Sequence, residues 1–312
     1  MNIAVLCNAD TLVIPALHQL KEKGWLAGVG IPEKSKDYLI GALLQIGLTE
    51  KSITLIPAET RKQALKDWIT MLNPTVAFVF GFPWKIPAAV LDMPLKGFFN
   101  FHFGELPVYQ GADPIFWQLR NREEQGELAV HQMTSIIDQG PIVWKEKCPM
   151  IPGETYGMRC QRMGYVAANM MLPFTEQLMS GKLIEDHQQT ITPSFAKRPG
   201  AMDLSIDWEQ QSAEEIEWLI NAANPKYGGA STLLRGAEIR LLEVAPTSMN
   251  GTDGGMSTPG TIVYADAVYG LIVVCNDKKF LKVNVVHLPE GYLSGSKLFS
   301  LGVKPGERFI TK

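Results

Sequence analysis

The 312-residue sequence predicts an α/β domain with a parallel sheet, followed by a smaller β-rich, barrel-like (OB-like) domain. In the first part, short apolar runs alternate with helix-like stretches, which is typical of a parallel α/β sheet. A segment with Pro193, Pro199 and Gly200 interrupts this pattern and is interpreted as a linker. Several short strand-like runs then follow within about 100 residues, which indicates a small barrel or sandwich.

The first domain is predicted at 1–191, the linker at 192–205 and the second domain at 206–312. The predicted strands of the first domain are Met1–Cys7, Trp25–Ile31, Ile53–Ile56, Thr75–Phe80, Gly97–Phe103, Leu128–Met133 and Ile142–Lys147. The predicted helices are Asp10–Lys23, Asp37–Ile46, Glu59–Leu72 and Thr155–Met179. Asp10 is a capping residue, and Asn73–Pro74 ends the third helix.

The second domain is predicted to begin with one helix, Ser212–Ala222, introduced by the capping box of Ser212 and Glu215. Gly236 and Asn276–Asp277 supply turns, and Ser248–Ser257 is predicted to be a flexible loop. The predicted strands are Ala230–Leu234, Ala237–Glu243, Gly260–Tyr264, Gly270–Cys275 and Lys279–Val286.

Bulk properties exclude several classes of protein. A net charge of -3 gives no general attraction to nucleic acid or anionic membrane. The four cysteines lie far apart, so free thiols are expected rather than disulfides or a zinc site. The sequence shows neither a secretory signal nor a membrane span, which predicts a cytoplasmic protein. The histidines lack metal-ligand spacing, so no metal is expected.

The segment after the first strand argues against a dinucleotide-dependent oxidoreductase. It reads Cys-Asn-Ala-Asp-Thr from Cys7 to Thr11 and contains no glycine. A dinucleotide fingerprint needs glycines so that the backbone can approach the pyrophosphate. The sequence also contains no Walker motif.

The informative stretch begins with Asn100 and His102, two polar residues that share one face of a predicted strand. The carboxyl end of a parallel strand is where open α/β sheets bind ligands. Asp138 follows 36 residues after His102, in a loop between two apolar runs from which it can fold back toward the histidine. Each residue alone also has a structural interpretation: a strand histidine is often a core residue, and Asp138 before Gln139-Gly140 is typical of a turn.

The combination resembles the folate-dependent formyltransferase family. The resemblance rests on Asn-x-His at 100–102, the following Leu-Pro-x-Tyr-x-Gly-x-x-Pro at 106–114, Trp117, and Asp-x-Gly-x-Ile at 138–142. Further segments resemble methionyl-tRNA formyltransferases: Ile206-Asp207-Trp208, Asn224-Pro225, Gly228-Gly229-Ala230, Pro259-Gly260-Thr261-Ile262 and Lys304-Pro305-Gly306-Glu307-Arg308.

The resemblance implies 10-formyltetrahydrofolate as the formyl donor and a primary amine as the acceptor, without a metal. When the amine attacks the formyl carbon, the formyl oxygen becomes negative. Asn100 through its amide and His102 through an imidazole N–H are then the expected hydrogen-bond donors to that oxygen. Asp138 is expected to orient His102, raise its basicity and relay or accept the proton of the amine.

The resemblance also implies the binding residues around this cluster. The expected folate-binding residues lie at Val79–Pro87 and beside Asp138; they are Phe80, Gly81, Phe82, Trp84, Ile86, Ile136, Ile137 and Gly140. The expected acceptor-binding residues lie in the loop after His102; they are Gly104, Glu105, Tyr109, Gln110 and Gly111.

Departures from the family pattern bear on the acceptor. Gly104, Glu105 and Gln110 replace the Ser, Leu and Arg that are usual in methionyl-tRNA formyltransferases, and the segment Pro32–Asp37 is shorter than their basic loop. Residues 206–312 carry ten Lys/Arg against twelve Asp/Glu, whereas polyanion binding needs clustered positive charge. The expected acceptor is therefore a small amine such as an amino-sugar nucleotide, with initiator methionyl-tRNA as the alternative. A formyltetrahydrofolate hydrolase and a non-catalytic folate-binding protein are further alternatives, and the oligomeric state stays open.

Overall fold

The computed structural model describes residues 1–188, 195–249 and 257–312, which fall into two compact units. The first unit comprises Met1–Pro114, Glu124–Pro149 and Cys160–Lys197, and the second comprises Ile115–Glu123, Met150–Arg159 and Arg198–Lys312. The predicted domain boundary at 191/192, the start of the predicted linker and most of the predicted Ser248–Ser257 loop lie outside the described residues.

The first unit is built on a mixed sheet. Its strands are β1 (Ile3–Cys7), β2 (Leu26–Pro32), β3 (Ile53–Ile56), β4 (Val76–Phe80), β5 (Phe98–His102), β6 (Gln125–Gln132) and β7 (Ile142–Pro149). Among the described residues these seven strands follow the order β3-β2-β1-β4-β5-β6-β7. Strands β1 to β5 run parallel, whereas β6 is antiparallel to both β5 and β7. Every residue of β1 and β4 is buried, which explains their continuous apolar sequence.

The helices of this part bury one apolar face each. They are α1 (Asp10–Glu22), α2 (Lys36–Gln45), α3 (Arg61–Leu72), α4 (Ala88–Leu91) and, from Cys160 onward, α6 (Tyr156–Ser180). Helix α5 (Pro114–Arg120) belongs to the second unit after Pro114. In α1 the buried residues recur at helical spacing, as in Val13, Leu17 and Leu20. In α3, Leu65, Trp68 and Ile69 join a core cluster with apolar residues of β1 and β4. The helical pattern in the sequence therefore marks the surfaces that cover the sheet.

The strand order places a binding crevice at the carboxyl ends of the central strands. The chain adds β2 and β3 on one side of β1, and then continues with β4 and β5 on the other. Open α/β sheets bind ligands outside the carboxyl ends of strands at such a switch point. His102 is the last residue of β5 and therefore lies at this edge.

The second unit is an antiparallel sheet with two further helices. Its strands are β8 (Ala230–Leu234), β9 (Ala237–Thr247), β10 (Ile262–Asp266), β11 (Gly270–Val274), β12 (Phe280–Leu288), β13 (Gly291–Ser294) and β14 (Phe309–Ile310). Besides α5, its helices are α7 (Ala213–Ala223) and α8 (Gly295–Ser300). The sheet follows the order β10-β11-β12-β9-β8-β14, with β13 paired to β12. A bridge between Thr261 and Arg308 joins the chain beside β10 to the chain beside β14, so the sheet curls into a barrel-like form.

Trp208 anchors the core of the second unit. Its side chain is buried, its ring stacks on Phe309 with centroids 5.6 Å apart, and its Nε1 donates to Thr232 Oγ1 at 2.9 Å. A Cβ added to Gly260 would lie 2.2 Å from the Phe309 carbonyl oxygen, so only glycine fits there. These contacts give the Ile-Asp-Trp and Pro-Gly-Thr-Ile segments a packing role.

The predicted fold class is confirmed. The capping box is present: Glu215 N donates to Ser212 Oγ at 3.2 Å, and Ser212 N donates to the Glu215 carboxylate at 2.8 Å. Strand β6 alone runs against the direction of the other strands in the first sheet, since it is antiparallel to both β5 and β7. The sequence interpretation also missed the short elements α4, α5, α8, β13 and β14.

The four cysteines are free and buried, as expected from their spacing. Within the described ranges, no helix combines the length and the apolar character that crossing a bilayer requires.

Candidate active site

Four polar side chains meet at the end of β5. Asn100 and His102 come from β5, Asp138 from the turn between β6 and β7, and His131 from β6. The aromatic residues between them face the opposite side: Phe101 stacks on Phe80 with ring centroids 4.3 Å apart. The strand alternation thus aims the polar groups at the crevice and the rings at the core.

His102 is held by one hydrogen bond and faces one carboxylate. Its side chain is only 5% exposed, and Nε2 lies 2.6 Å from the Tyr109 carbonyl oxygen, which can only accept. The Nε2 atom therefore carries the hydrogen in the neutral ring, which leaves a lone pair on Nδ1. That Nδ1 lies 3.8 Å from Asp138 Oδ2. The neutral ring thus has its acceptor nitrogen beside Asp138, and its one N–H is already used.

Burial lowers the pKa of His102, although Asp138 and the Tyr109 carbonyl act to raise it. Asp138 thus acts on His102 in the expected direction, but desolvation outweighs the carboxylate and the net shift of the His102 pKa is downward. The consequence favours catalysis near neutral pH, since a ring with a lowered pKa is unprotonated there and can accept a proton.

Asp138 is the centre of the cluster. Its Oδ2 accepts from the Gly111 backbone N–H at 2.9 Å, and its Oδ1 lies 3.4 Å from both Asn100 Nδ2 and His131 Nε2. Burial opposes ionisation of the carboxyl, but His102, His131 and the Gly111 amide outweigh it and lower the pKa of Asp138 to about 2. The carboxylate is therefore ionised at any pH at which the protein is expected to work.

The backbone of Asp138 adopts an uncommon conformation. Its φ of 55° lies in the left-handed region, which Asp tolerates better than most residues. Two residues on, a Cβ added to Gly140 would lie 1.7 Å from the Gln132 carbonyl oxygen. The Asp-x-Gly spacing thus has a local cause: the turn needs a left-handed residue and then one without a side chain.

The sequence interpretation did not include His131. It lies directly opposite Asn100 in the antiparallel pairing of β5 and β6, and it is 2% exposed. Its Nδ1 lies 3.1 Å from the Gln132 carbonyl oxygen and therefore carries the hydrogen, so Nε2 accepts from Asn100 Nδ2 at 3.1 Å. The 3.4 Å contact between His131 Nε2 and the Asp138 carboxylate would instead require a hydrogen on Nε2. The shorter contact with Asn100 assigns Nε2 as the acceptor. His131 thereby orients the Asn100 amide.

The predicted acceptor loop contributes two backbone groups to the cluster. The Tyr109 carbonyl fixes His102, and the Gly111 amide fixes Asp138. Gly111 has φ of 117°, and an added Cβ would lie 2.8 Å from the Ala196 carbonyl oxygen. The Gln110 side chain is buried, and that of Glu105 is exposed. Gly104 is also tightly packed, since an added Cβ would lie 3.3 Å from His102 Nε2.

The predicted folate-binding residues divide into buried core residues and partly exposed rim residues. The rim consists of Phe82, Trp84, Ile136 and Ile137. Phe80 and Ile86 are buried core residues, which limits their side chains to supporting roles. Phe82 and Trp84 are half-buried and pack edge to face, with centroids 5.4 Å apart.

Beside Asp138, the adjacent Ile136 and Ile137 are 56% and 54% exposed. An exposed pair of isoleucines in a loop is unusual for a surface with no apolar partner. Gly140 is buried under the turn described above.

This arrangement is equipped for proton transfer coupled to charge stabilisation. The Nδ1 lone pair of neutral His102 can take a proton, and the Asp138 carboxylate then stabilises the imidazolium. The Asn100 N–H that lies 3.4 Å from Asp138 makes a long hydrogen bond and is the one available to a developing negative oxygen. Within the described residues, no three His, Cys, Asp or Glu side chains are placed to share a metal ion.

The open α/β sheet carries an Asn–His–Asp cluster at its carboxyl edge, and family comparison gives the class of enzyme. Residues 2–174 match the formyl transferase model, and residues 201–299 match the formyl transferase C-terminal domain. These matches cover more than half of the chain. The chain belongs to the formyl transferase family and is a formyltransferase.

Three proteins are reported for similarity, one by sequence and two by structure. A methionyl-tRNA formyltransferase of Aromatoleum aromaticum is 28% identical over 260 residues, covering 81% of this chain and 78% of that protein. A variant of HypX from Aquifex aeolicus has a TM-score of 0.72 at 16% identity, over 98% of this chain and 50% of HypX. This chain thus spans about half the length of HypX, which has also been solved with tetrahydrofolic acid.

A sugar 3N-formyl transferase, solved in the presence of dTDP and 5-N-formyl-THF, has a TM-score of 0.61 at 13% identity. The match covers 90% of this chain and 96% of that one. At such identities the structural neighbours show the shared fold.

Proposed function

We propose that this enzyme transfers a formyl group from 10-formyltetrahydrofolate to a primary amine, with Asn100, His102 and Asp138 carrying the chemistry. The observation that carries the proposal is the position of neutral His102: its Nδ1 faces a buried carboxylate 3.8 Å away while its Nε2–H is fixed by the Tyr109 carbonyl. A general base in this state is ready to accept a proton and has its charge stabilised as soon as it forms.

The residues act in a defined order. Asn100 donates to the formyl oxygen as the amine attacks the formyl carbon and that oxygen becomes negative. His102 Nδ1 takes the proton that the amine sheds, and Asp138 stabilises the imidazolium. His102 then returns the proton to the folate nitrogen as its bond to carbon breaks. The new C–N bond replaces the old one, so the step needs no oxidant or reductant.

The rim residues fit a flat heterocyclic donor. Phe82 and Trp84 follow the end of β4, and Ile136 and Ile137 precede Asp138 with about half of each side chain exposed. Apolar groups in such numbers beside a polar cluster are typical of ligand pockets, in which few polar groups fix the orientation. The site therefore combines an apolar rim for the donor with the proton-transferring group beyond it.

For the acceptor, the relatives favour methionyl-tRNA over the amino-sugar nucleotide that the sequence departures suggested. The Aromatoleum protein is named for that activity, and the similarity extends over most of both chains. Both the catalytic and the C-terminal family models match. We therefore propose the amino group of initiator methionyl-tRNA as the acceptor.

A small amine is the second candidate, and the charges of the second unit favour it. Many of its basic side chains are paired with carboxylates rather than free for phosphates; the pairs are Arg235–Glu307, Arg240–Glu238, Lys279–Glu214, Arg308–Glu209 and Lys312–Glu238. Phosphate contacts supply a large share of nucleic-acid affinity, so paired cations weaken it. Salt dependence distinguishes the two acceptors, because a tRNA substrate gives a KM that rises steeply with salt.

The test is a set of parallel incubations with formyl-labelled 10-formyltetrahydrofolate. Purified enzyme receives charged initiator tRNA, a panel of amino-sugar nucleotides, or neither, with the H102A variant as a matched control. Label on methionyl-tRNA from wild type alone supports the proposal, and label only on a sugar nucleotide supports the second candidate. Formate release without any amine identifies a hydrolase. Donor binding with no turnover under any condition identifies a binding protein and overturns the proposal.

A further inference from the structure

A single side chain outside the cluster holds the turn that presents Asp138. Gln188 Nε2 donates to the Asp138 carbonyl oxygen and to the Gly140 carbonyl oxygen, both at 2.8 Å. Two acceptors at this distance fix the orientation of the amide, because only the nitrogen can serve both. Both N–H groups of Gln188 therefore donate to Asp138 and Gly140, the two residues that give the turn its unusual shape.

Gln188 is itself held in place from two sides. The segment that precedes it pairs with β7: Ile142 N donates to the Asp186 carbonyl at 2.9 Å, and Asp186 N donates to the Ile142 carbonyl at 2.7 Å. Lys145 Nζ lies 3.1 Å from the Asp186 carboxylate. On the other side, Gln188 Oε1 accepts from Gln110 Nε2 at 3.4 Å.

The two loops that Gln188 connects are the ones that complete the cluster. Gln110 lies between Tyr109, whose carbonyl holds His102, and Gly111, whose amide holds the Asp138 carboxylate. Without Gln188, the Asp138 turn keeps its left-handed residue but loses both side-chain hydrogen bonds to its carbonyls. Catalytic groups need to be held within about 0.5 Å of the productive geometry, which requires supporting groups of this kind.

We propose that Gln188 is a positioning residue for formyl transfer. Its hydrogen bonds fix the Asp138 turn relative to the loop that orients His102. The inference rests on the proposed role of Asp138 and adds to it a residue that contacts the Asp138 turn through two hydrogen bonds. It predicts that the hydrogen-bonding capacity at position 188, rather than the bulk of the side chain, sets the rate of the chemical step.

Two isosteric variants separate these properties. Gln188→Met keeps the length of the side chain but removes both donors, and we expect kcat to fall about tenfold. Gln188→Glu has the same shape but places a carboxylate against two carbonyl oxygens, so kcat falls further, by about 100-fold. His187→Glu adds the same charge to the exposed neighbouring residue and is the matched control, with wild-type kcat expected.

The pH profile distinguishes positioning from general damage to the fold. Because Asp138 raises the pKa of His102, a displaced Asp138 lets that pKa fall further, and the acid limb of kcat moves to lower pH in the Gln188→Met variant. A merely structural role reduces the amount of active enzyme and leaves the acid limb in place. Rates are therefore normalised to the folate-binding fraction, and the KM for the folate is measured alongside.

The outcomes are distinct. A graded loss from Met to Glu with a shifted acid limb supports the inference. Wild-type kcat in Gln188→Met, or equal losses in both variants with an unmoved acid limb, overturns it. The Asp138→Asn variant distinguishes a failure of the proposed role of Asp138 from a failure of the inference about Gln188. If that variant keeps wild-type kcat, the proposed role of Asp138 fails; if it is inactive while Gln188→Met is normal, only the inference about Gln188 fails.

Discussion

The Asp138→Asn substitution measures what the buried carboxylate contributes to catalysis. The amide is nearly isosteric, and its Oδ1 can still accept from the Gly111 N–H, so the loop geometry is retained. The lost quantity is the negative charge beside the imidazolium. At the observed separation of 3.8 Å and an effective dielectric constant of 20, two unit charges attract by about 4 kcal/mol. The transition state carries most of that charge on His102, so kcat is expected to fall about 10³-fold.

The assay is single-turnover formyl transfer with enzyme in excess over 10-formyltetrahydrofolate, and donor affinity is measured separately. We expect the Kd for the folate to change less than about threefold, because Asp138 is assigned to the chemical step. Asp92→Asn, which removes a carboxylate from an exposed residue, is the matched control and is expected to retain wild-type rates. A single-turnover rate within tenfold of wild type in Asp138→Asn refutes the reasoning, since the buried charge would then contribute less than about 1.4 kcal/mol.

Three further predictions concern stability. Because the pKa of Asp138 falls from 3.8 to about 2 on folding, its ionisation contributes about 2 kcal/mol, fully present above pH 3.8 and lost as the pH falls toward 2. Urea unfolding is therefore expected to show wild type losing about 2 kcal/mol more than Asp138→Asn between about pH 5 and about pH 2, whereas parallel losses contradict the assignment. Gly140→Ala forces a Cβ to within 1.7 Å of the Gln132 carbonyl oxygen, so the backbone must move and Tm is expected to drop by several degrees; an unchanged Tm contradicts this packing. Ser212→Ala removes the cap of α7 and is expected to lower the free energy of unfolding by about 1 kcal/mol in a denaturant titration, and a value near zero argues against the capping box.

The elements that the sequence predicted well are those with strong local signals. Strands β1 and β4 are continuous apolar runs, and α7 begins with a capping box that is present in the structure. Helix α5 was not predicted, although it begins at Pro114 and proline is common at the first position of a helix. The antiparallel direction of β6 was not predictable, since apolar periodicity carries no information about strand direction.

The site shows the same division between local and tertiary information. Asn100 and His102 were identifiable because the strand period of two places them on one face. His131 required the register of β5 against β6, which pairs it with Asn100, and the sequence does not state that register. The net effect on the pKa of His102 depends on burial, which is a property of the folded chain. Gln188 lies 50 residues from Asp138, and no pattern in the sequence connects the two.

The central claim is that neutral His102 accepts the proton of the attacking amine, and the pH dependence of single-turnover transfer tests it most directly. Because burial lowers the pKa of His102, the midpoint of the acid limb in wild type is expected below pH 6.5. The His102→Ala variant is expected to bind the folate with near wild-type affinity and to transfer formyl at least about 10²-fold more slowly, with no acid limb in that range. An acid limb that persists in His102→Ala, or a rate within tenfold of wild type, contradicts the account.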